Sequence, residues 1–407
     1  MRGGRGLAIR GYDLYLLFSS RFRLAVGFLC GPPMSLRASS LLPLLAASFA
    51  SAAPEPSAYD VLWNKAVLLR GGPDDFFQEL RFTGREHLDW YDYRDGALKA
   101  QGVSARRTRT GLRAEFLRDF VAYAEVDYDL DGREPLYSKI GNLNVQWNAS
   151  KDLMVTVGKQ PSKFTLDGGT SANELLTIDR SALAKNVGMS EESQPGVTCD
   201  AQRGLWHLRG GVFSSGAATP EFGRFNAGVL GIASVGYDVA PAWKLDKALL
   251  RADFMLQSPD HENGTGTPTP FSRNHEKALS LNLQLRQGPW GLGVDLGYSE
   301  GRDAQPDLRG VQFMPSYYLS DDWQVVFRYT FLTSARPNGI SFTSYETKLT
   351  TGKGDRYDEF YFGLNRYFYG HKLKCQLGVE HTRMLDVAGD GGAYHGWGVV
   401  TALRVSW

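Results

Sequence analysis

The chain has 407 residues, a formal net charge of +1, 43% hydrophobic residues and a mean hydropathy of −0.30. A bundle of membrane helices would be far more apolar, and three scattered cysteines (Cys30, Cys199 and Cys375) make neither a disulfide framework nor a metal site. Aromatic residues at 12% and 46 glycines suit a β protein with many tight turns.

In chain order, the first element is an export signal. "MSLRASSLLPLLAASFASAAPEP" begins at Met34, carries Arg37 as its positive region and an apolar core from Leu41 to Ala50, and ends on the small-x-small pattern Ala50-Ser51-Ala52. The expectation is a signal peptide over 34–52, a mature start at Ala53, and residues 1–33 as a non-native extension ahead of the true start. Residues 53–76 then form a short periplasmic segment. Removal of the first 52 residues leaves 39 basic and 43 acidic side chains, a net of −4. That balance disfavours a nucleic-acid partner.

From residue 77 onward the dominant signal is alternation with period two. "LSLNLQLR" sets Leu279, Leu281, Leu283 and Leu285 against Ser280, Asn282, Gln284 and Arg286. "WGLGVDLGY", "WQVVFRYTF", "FYFGLNRYF" and "LKCQLGVE" behave alike. Sixteen such segments begin near Phe77, Val103, Asp119, Tyr137, Asp152, Gly196, Arg203, Gly228, Ala248, Lys277, Pro289, Leu308, Asp322, Arg356, His371 and Tyr394. The clearest span about 10 to 14 residues, the length of a tilted strand crossing a bilayer.

Connection lengths add a second regularity. Short turns fall at Leu117-Arg118, Ala149–Lys151, Gly288-Pro289, Ser320-Asp321 and Gly370. Between them lie longer stretches: Asp92–Gly102, Pro161–Pro195, Gly216–Ala227, Ser258–Glu276, Ser334–Asp355 and Met384–Ala393. A soluble sandwich has no reason to alternate in this way, whereas an outer-membrane barrel has short periplasmic turns and long outer loops. The fold expected is therefore all-β: a transmembrane antiparallel β-barrel of about sixteen strands over 77–407, its outside solvated by outer-membrane lipid. The chain ends on "VVTALRVSW", a two-faced strand that can close the ring on the first one and place Trp407 at an aromatic girdle.

The polar faces then line a lumen. The second segment, "RRTRTGLRAEF", puts Arg107, Arg109 and Arg113 on one face with Glu115. The first offers Arg81 and Arg85 beside Glu79, Thr83 and His87. Guanidinium groups are permanently charged forks suited to phosphate or carboxylate. A lumen wall also needs charge for hydration, and Glu125 and Asp127 on the third segment can neutralise these arginines. The long connection after the fifth segment starts "VGKQPSKFTLDGG" and continues "ANELLTIDRSALAKN", which has helical patterning. Folded inward, it would bring Lys159, Lys163, Arg180 and Lys185 to the narrowest point, where charge sets selectivity. Asp167, Glu174, Asp179, Glu191 and Glu192 lie in the same stretch.

"RRTRTGLRAEF", "VGKQPSKF" and "DRYDEFYFGLNRYFYGHKLKCQLGVEH" followed by the terminal "VVTALRVSW" resemble the phosphate-selective porins O and P across the whole mature length. The resemblance implies a sixteen-stranded homotrimeric barrel that passes anions such as phosphate along lumen arginines and loop lysines. It carries that role to Arg107, Arg109 and Arg113 and to the lysines around "GKQPSK".

Other motifs weigh less. "DYDLDG" from Asp127 has a calcium-loop start but Ser138 where the closing Glu belongs. The seven histidines show no metal-enzyme spacing, and neither a nucleophile elbow nor a phosphate loop is present. The reading is a passive porin for small hydrophilic solutes, anions such as phosphate first, without cofactor, metal or catalytic residues. The alternatives are a general or sugar-preferring porin, for which Tyr361 and Tyr367 on a polar face give some basis, and a barrel-wall enzyme.

Overall fold

Alternation converts directly into a wall with an apolar outside and a polar inside. A computed structural model of the chain describes residues 57–132, 134–188, 193–214, 228–259 and 274–407. Sixteen strands form the wall: β1 (Phe77–Asp95), β2 (Leu98–Phe116), β3 (Phe120–Tyr128), β4 (Tyr137–Ser150), β5 (Leu153–Pro161), β6 (Ser193–Arg203), β7 (Trp206–Ser214), β8 (Val229–Asp238), β9 (Lys247–Gln257), β10 (His275–Gln287), β11 (Trp290–Gly301), β12 (Leu308–Ser320), β13 (Trp323–Ser334), β14 (Arg356–Tyr369), β15 (Leu373–Leu385) and β16 (Tyr394–Ser406). Each pairs antiparallel with the next, and β16 pairs with β1 from Trp397↔Arg94 to Ser406↔Arg85, so the barrel is closed. The signal peptide and the extension before it lie outside the described residues.

The sides sort as the sequence pattern requires. Leu281, Phe360 and Phe362 on the outside are 46%, 51% and 54% exposed, while Ser280, Thr330 and Asn365 on the inside are fully buried. This inversion is what lipid outside and polar contents inside demand. The closing seam uses a glycine for close approach. Gly84 and Trp407 exchange backbone hydrogen bonds, and the Trp407 indole lies where a side chain at residue 84 would stand. Beside this seam a short helix, α1 (Ala58–Asn64), begins on a Ser57–Asp60 capping box. Its Trp63 Nε1 donates to the Ser406 carbonyl at 2.6 Å, which docks the segment before β1 at the end of the barrel where the chain finishes.

Two expectations change. The connection over Asp92–Gly102 is not a loop: β1 and β2 run on as 19-residue strands to a two-residue turn at Gly96-Ala97, with Gly96 at φ +56°. The alternation simply continues through Tyr91 and Tyr93. The helical patterning after Ala172 yields one short helix, α2 (Ala182–Asn186), because the carbonyls of Leu175, Leu176, Ile178 and Asp179 are taken by donors of the barrel wall instead of by helical N–H groups.

The long connection after β5 does fold inward. Phe164, Leu183 and Val187 pack with Phe213, Leu230, Met255, Leu308 and Leu332 of the wall in one buried cluster. Each such side chain contributes about 1.5–3 kcal/mol on burial. A second inward element was not foreseen. Between β13 and β14 a two-residue ladder (Ile340–Ser341 with Lys353–Gly354) and a 3-10 turn (Tyr345–Lys348) enter the mouth, and Tyr345 stacks on Tyr91 at 4.1 Å.

Candidate functional site

The loop after β5 divides the lumen into a covered wall and an open wall. On the covered side a row of donors receives its backbone carbonyls. Lys374 Nζ donates to Leu175 at 2.7 Å, Asn365 Nδ2 to Leu176 at 2.8 Å, and Arg328 to Asp179 at 2.7 Å. Arg404 reaches Ile178, and the Tyr361 hydroxyl accepts the Ile178 N–H at 3.3 Å. Asp295 on β11 accepts the Leu166 N–H at 2.7 Å. The cations are balanced by wall carboxylates, Arg328 by Glu359 at 2.7 Å and Arg404 by Asp89.

On the open side lies a cavity of about 580 Å³. Arg85 of β1, Arg107 and Arg109 of β2, Arg209 of β7, and Lys163 and Arg180 of the loop line it, against Glu125, Glu174 and Asp200. Antiparallel register explains the clustering. Arg85 stands opposite Arg109, and His87 opposite Arg107. Towards the outer loops it adjoins a cavity of about 660 Å³ that shares Arg107 and Arg109 and adds Arg106, Lys139, Lys185 and Lys348, against Asp127, Asp129 and Asp131. Towards the short turns a third, of about 510 Å³, shares Gly169, Thr170 and Glu174 with the first and carries Lys247, Arg286 and His371. Burial, then the charge of Lys374, holds His371 down to about 4, so this chamber gains no imidazolium at neutral pH. The three cavities form one path past the loop, and the two outer ones together carry ten cations against six acids.

The residues singled out in the sequence take different places. Arg85, Arg107, Arg109, Lys163 and Arg180 meet in the first cavity. Arg109 is paired with both oxygens of Asp127, and Arg180 also holds the loop together by donating to the carbonyls of Asp167 and Thr170. Lys185 borders the outer cavity while bound to Asp179 at 2.6 Å and the Thr343 carbonyl at 2.7 Å. Arg81 and Arg113 face each other on β1 and β2, farther toward the short-turn end, engaged with Glu79, Glu115 and Tyr123. Lys159 is buried and borders none of these three cavities. The "DYDLDG" carboxylates serve the fold: Asp129 accepts the N–H groups of Asp131 and Gly132, and Asp131 that of Ala105. Tyr361 and Tyr367 are both buried, Tyr361 against the loop at Ile178 and Tyr367 against Gln324 of the wall.

Two arginines of the first and second cavities were missed. Arg209 follows the ordinary alternation of "WHLRGG" and could have been read from it. Arg106 could not. The β1–β2 register slips between His87 and Leu88, and this bulge turns Arg106 inward beside Arg107, where it meets Asp179 at 3.1 Å.

The sequence profile of the phosphate-selective porin O and P family matches residues 80–238, which span β1 to β8. The chain is a porin of the bacterial outer membrane. The resemblance read from the sequence therefore holds across the half of the barrel that carries the basic wall. Solved structures agree on the fold. The outer membrane channel DcaP of Acinetobacter baumannii matches with a TM-score of 0.53 at 13% identity, covering 83% of this chain and 100% of that one. The anion-selective porin from Comamonas acidovorans gives 0.55 at 12%, covering 81% and 99%. OmpT of Vibrio cholerae in its trimer form gives 0.50 at 13%, covering 81% and 99%. No curated protein matches the chain by sequence.

Proposed function

We propose that this porin passes small anions down their gradient, with phosphate and related oxyanions as the preferred class, and that it works as a homotrimer. The observation that carries the reading is the charge of the path: six cationic side chains line the middle cavity against three carboxylates. In a narrow, poorly screened lumen that excess concentrates anions and repels cations. Guanidinium forks at Arg85 and Arg107 match the paired oxygens of phosphate or carboxylate, while Arg109, held by Asp127, adds its charge to the wall. No bond is made or broken, so the fold and family of a channel suffice without a catalytic group. The likeness to an anion-selective porin and to an outer membrane protein solved in a trimer form supports both parts. The alternative of a sugar-preferring pore loses its basis where Tyr361 and Tyr367 are covered.

The test is the reversal potential of reconstituted channels in a salt gradient. Anion preference in potassium chloride, with the chloride current reduced by added phosphate that occupies the path, is the expected result. A cation-selective or unselective channel would overturn the reading.

A further inference from the structure

The outer ends of the strands do not all carry the same charge. At β8 and β9 the outward residues there are Val229 and Leu256, and on β10 Lys277 is answered by Glu300 at 2.9 Å. From β12 to β16 the ends are basic. Arg309, Arg356, Arg383 and His395 are exposed while the residues next to them on the strand, such as Leu308, Tyr357, Met384 and Tyr394, are buried, so all four point away from the lumen. Arg309 is the second residue of β12, Arg356 the first of β14, Arg383 the third from the end of β15 and His395 the second of β16. Each therefore stands at the end remote from the short turns.

Register draws these groups together. Arg309 and Arg356 lie opposite Thr333 of β13 from its two sides. Arg383 lies opposite His395, and the rings of His395 and His381 are 5.1 Å apart. Nearby carboxylates do not balance the row. Asp358, between Arg356 and Arg383, is used by Arg356 at 3.1 Å and by the Tyr329 hydroxyl at 3.2 Å. Asp355 and Asp386 accept N–H groups of the outer loops. Among the described residues Arg309 and Arg383 have neither an ion-pair nor a hydrogen-bond partner. Aromatic rings adjoin this row on the same outward face: Arg356 sits over Phe331 at 5.2 Å and His381 packs on Trp397 at 4.6 Å. Cations beside an exposed aromatic belt mark the level of lipid headgroups. Water alone solvates a single arginine, but like charges side by side on neighbouring strands repel until an anion lies between them.

We infer that the outward rim of β12–β16 binds a phosphorylated lipid headgroup of the outer leaflet. Arg309, Arg356 and Arg383 take phosphate oxygens in their forks, and the imidazoles of His381 and His395 each add an N–H donor. Four strand spacings separate β12 from β16, about 19 Å, which is room for a headgroup carrying more than one phosphate. The acyl chains run down the wall over Phe327, Phe360 and Phe362, all exposed on the same face. That apolar ledge is what selects a lipid over free phosphate. The site lies outside the pore and is independent of what the lumen passes.

Native mass spectrometry tests this with the mature porin in detergent, incubated with a glucosamine-disaccharide lipid carrying two phosphates. The wild-type protein should retain this lipid against excess inorganic phosphate and retain the dephosphorylated form of the same lipid far less. That comparison needs no variant. Arg309→Gln combined with Arg383→Gln should lower occupancy on the order of tenfold. Lys277→Gln, an exposed cation already paired with Glu300, should leave it unchanged. Single-channel conductance shows that the double variant is folded. Equal retention of the two lipids, displacement by inorganic phosphate, or undiminished occupancy in the folded double variant would each overturn the inference.

Discussion

Arg85, Arg107 and Arg109 on one wall and Arg328, Lys374 and Arg404 on the other hold the same kind of position, a lumen-facing site on a two-faced strand. Their surroundings differ. The first three border the water-filled path, whereas the second three are at most 2% exposed and hold loop carbonyls and wall carboxylates. A cation facing open water contributes to the field felt by a passing ion. One facing a row of carbonyls becomes a peg. The lumen of this porin uses both, and the pegs hold the loop that narrows the path along the open wall.

The comparison can be broken most forcefully at Arg328. Arg328→Ala leaves Glu359 buried without its partner, a change that costs about 3–5 kcal/mol. The loop should leave the wall, and single-channel recordings should show larger, noisier openings alongside a lowered melting temperature. Unchanged conductance would mean that the peg does not hold the constriction. On the open wall, replacing Arg85, Arg107 and Arg109 together by Gln should lower the anion-to-cation permeability ratio on the order of tenfold while the channel still opens. The reversal potential in a salt gradient reads this directly, and an unmoved value would remove these residues as selectivity determinants.

A pH experiment sharpens the contrast at the second inward element. Burial, followed by the negative charge of Glu359, pushes Glu346 up to about 7; Glu380 and Asp179 also face it, with Lys185 opposing them. In the released loop this carboxyl returns to its ordinary value of 4.5. Between those two values the released loop gives up a proton that the seated loop keeps. Seating should therefore weaken as pH rises through that window and change no further above it. Limited proteolysis of the 335–355 segment across that range measures it, and Glu346→Gln should flatten the dependence. The smallest effect belongs to Lys163→Gln. Lys163 is one of six cations lining the middle cavity and the other five remain, so the permeability ratio should shift by less than about twofold.

Much of this was legible beforehand, for a physical reason. Side-chain direction in a strand is fixed by the backbone, so "LSLNLQLR" or "WQVVFRYTF" declares its two faces without any neighbour. Fifteen of the sixteen strands begin within three residues of where alternation places them, and β2 begins at Leu98 instead of Val103. What alternation leaves open is what stands across the lumen. Arg328 and Lys374 were visibly on polar faces, but that they meet Thr177, Asp179 and Leu175 depends on how a distant loop lies. The inward turn of Arg106 is a property of the β1–β2 register, which no single strand contains. The tall β1–β2 hairpin was misread because polar residues such as Asp92, Arg94 and Asp95 look like a loop once the strand has risen above the membrane.

The seam between Gly84 and Trp407 carries a consequence for biogenesis. Trp63 and Ser406, joined by a hydrogen bond, are 343 positions apart in sequence. The ring becomes lipid-compatible at the moment its last residue reaches its first strand, since any earlier stage exposes an unpaired edge. Contacts of such separation form slowly. An emerging chain must therefore be kept from aggregating until the whole of it has arrived, and loss of even the final few residues should cost the cell the entire channel rather than one strand of it.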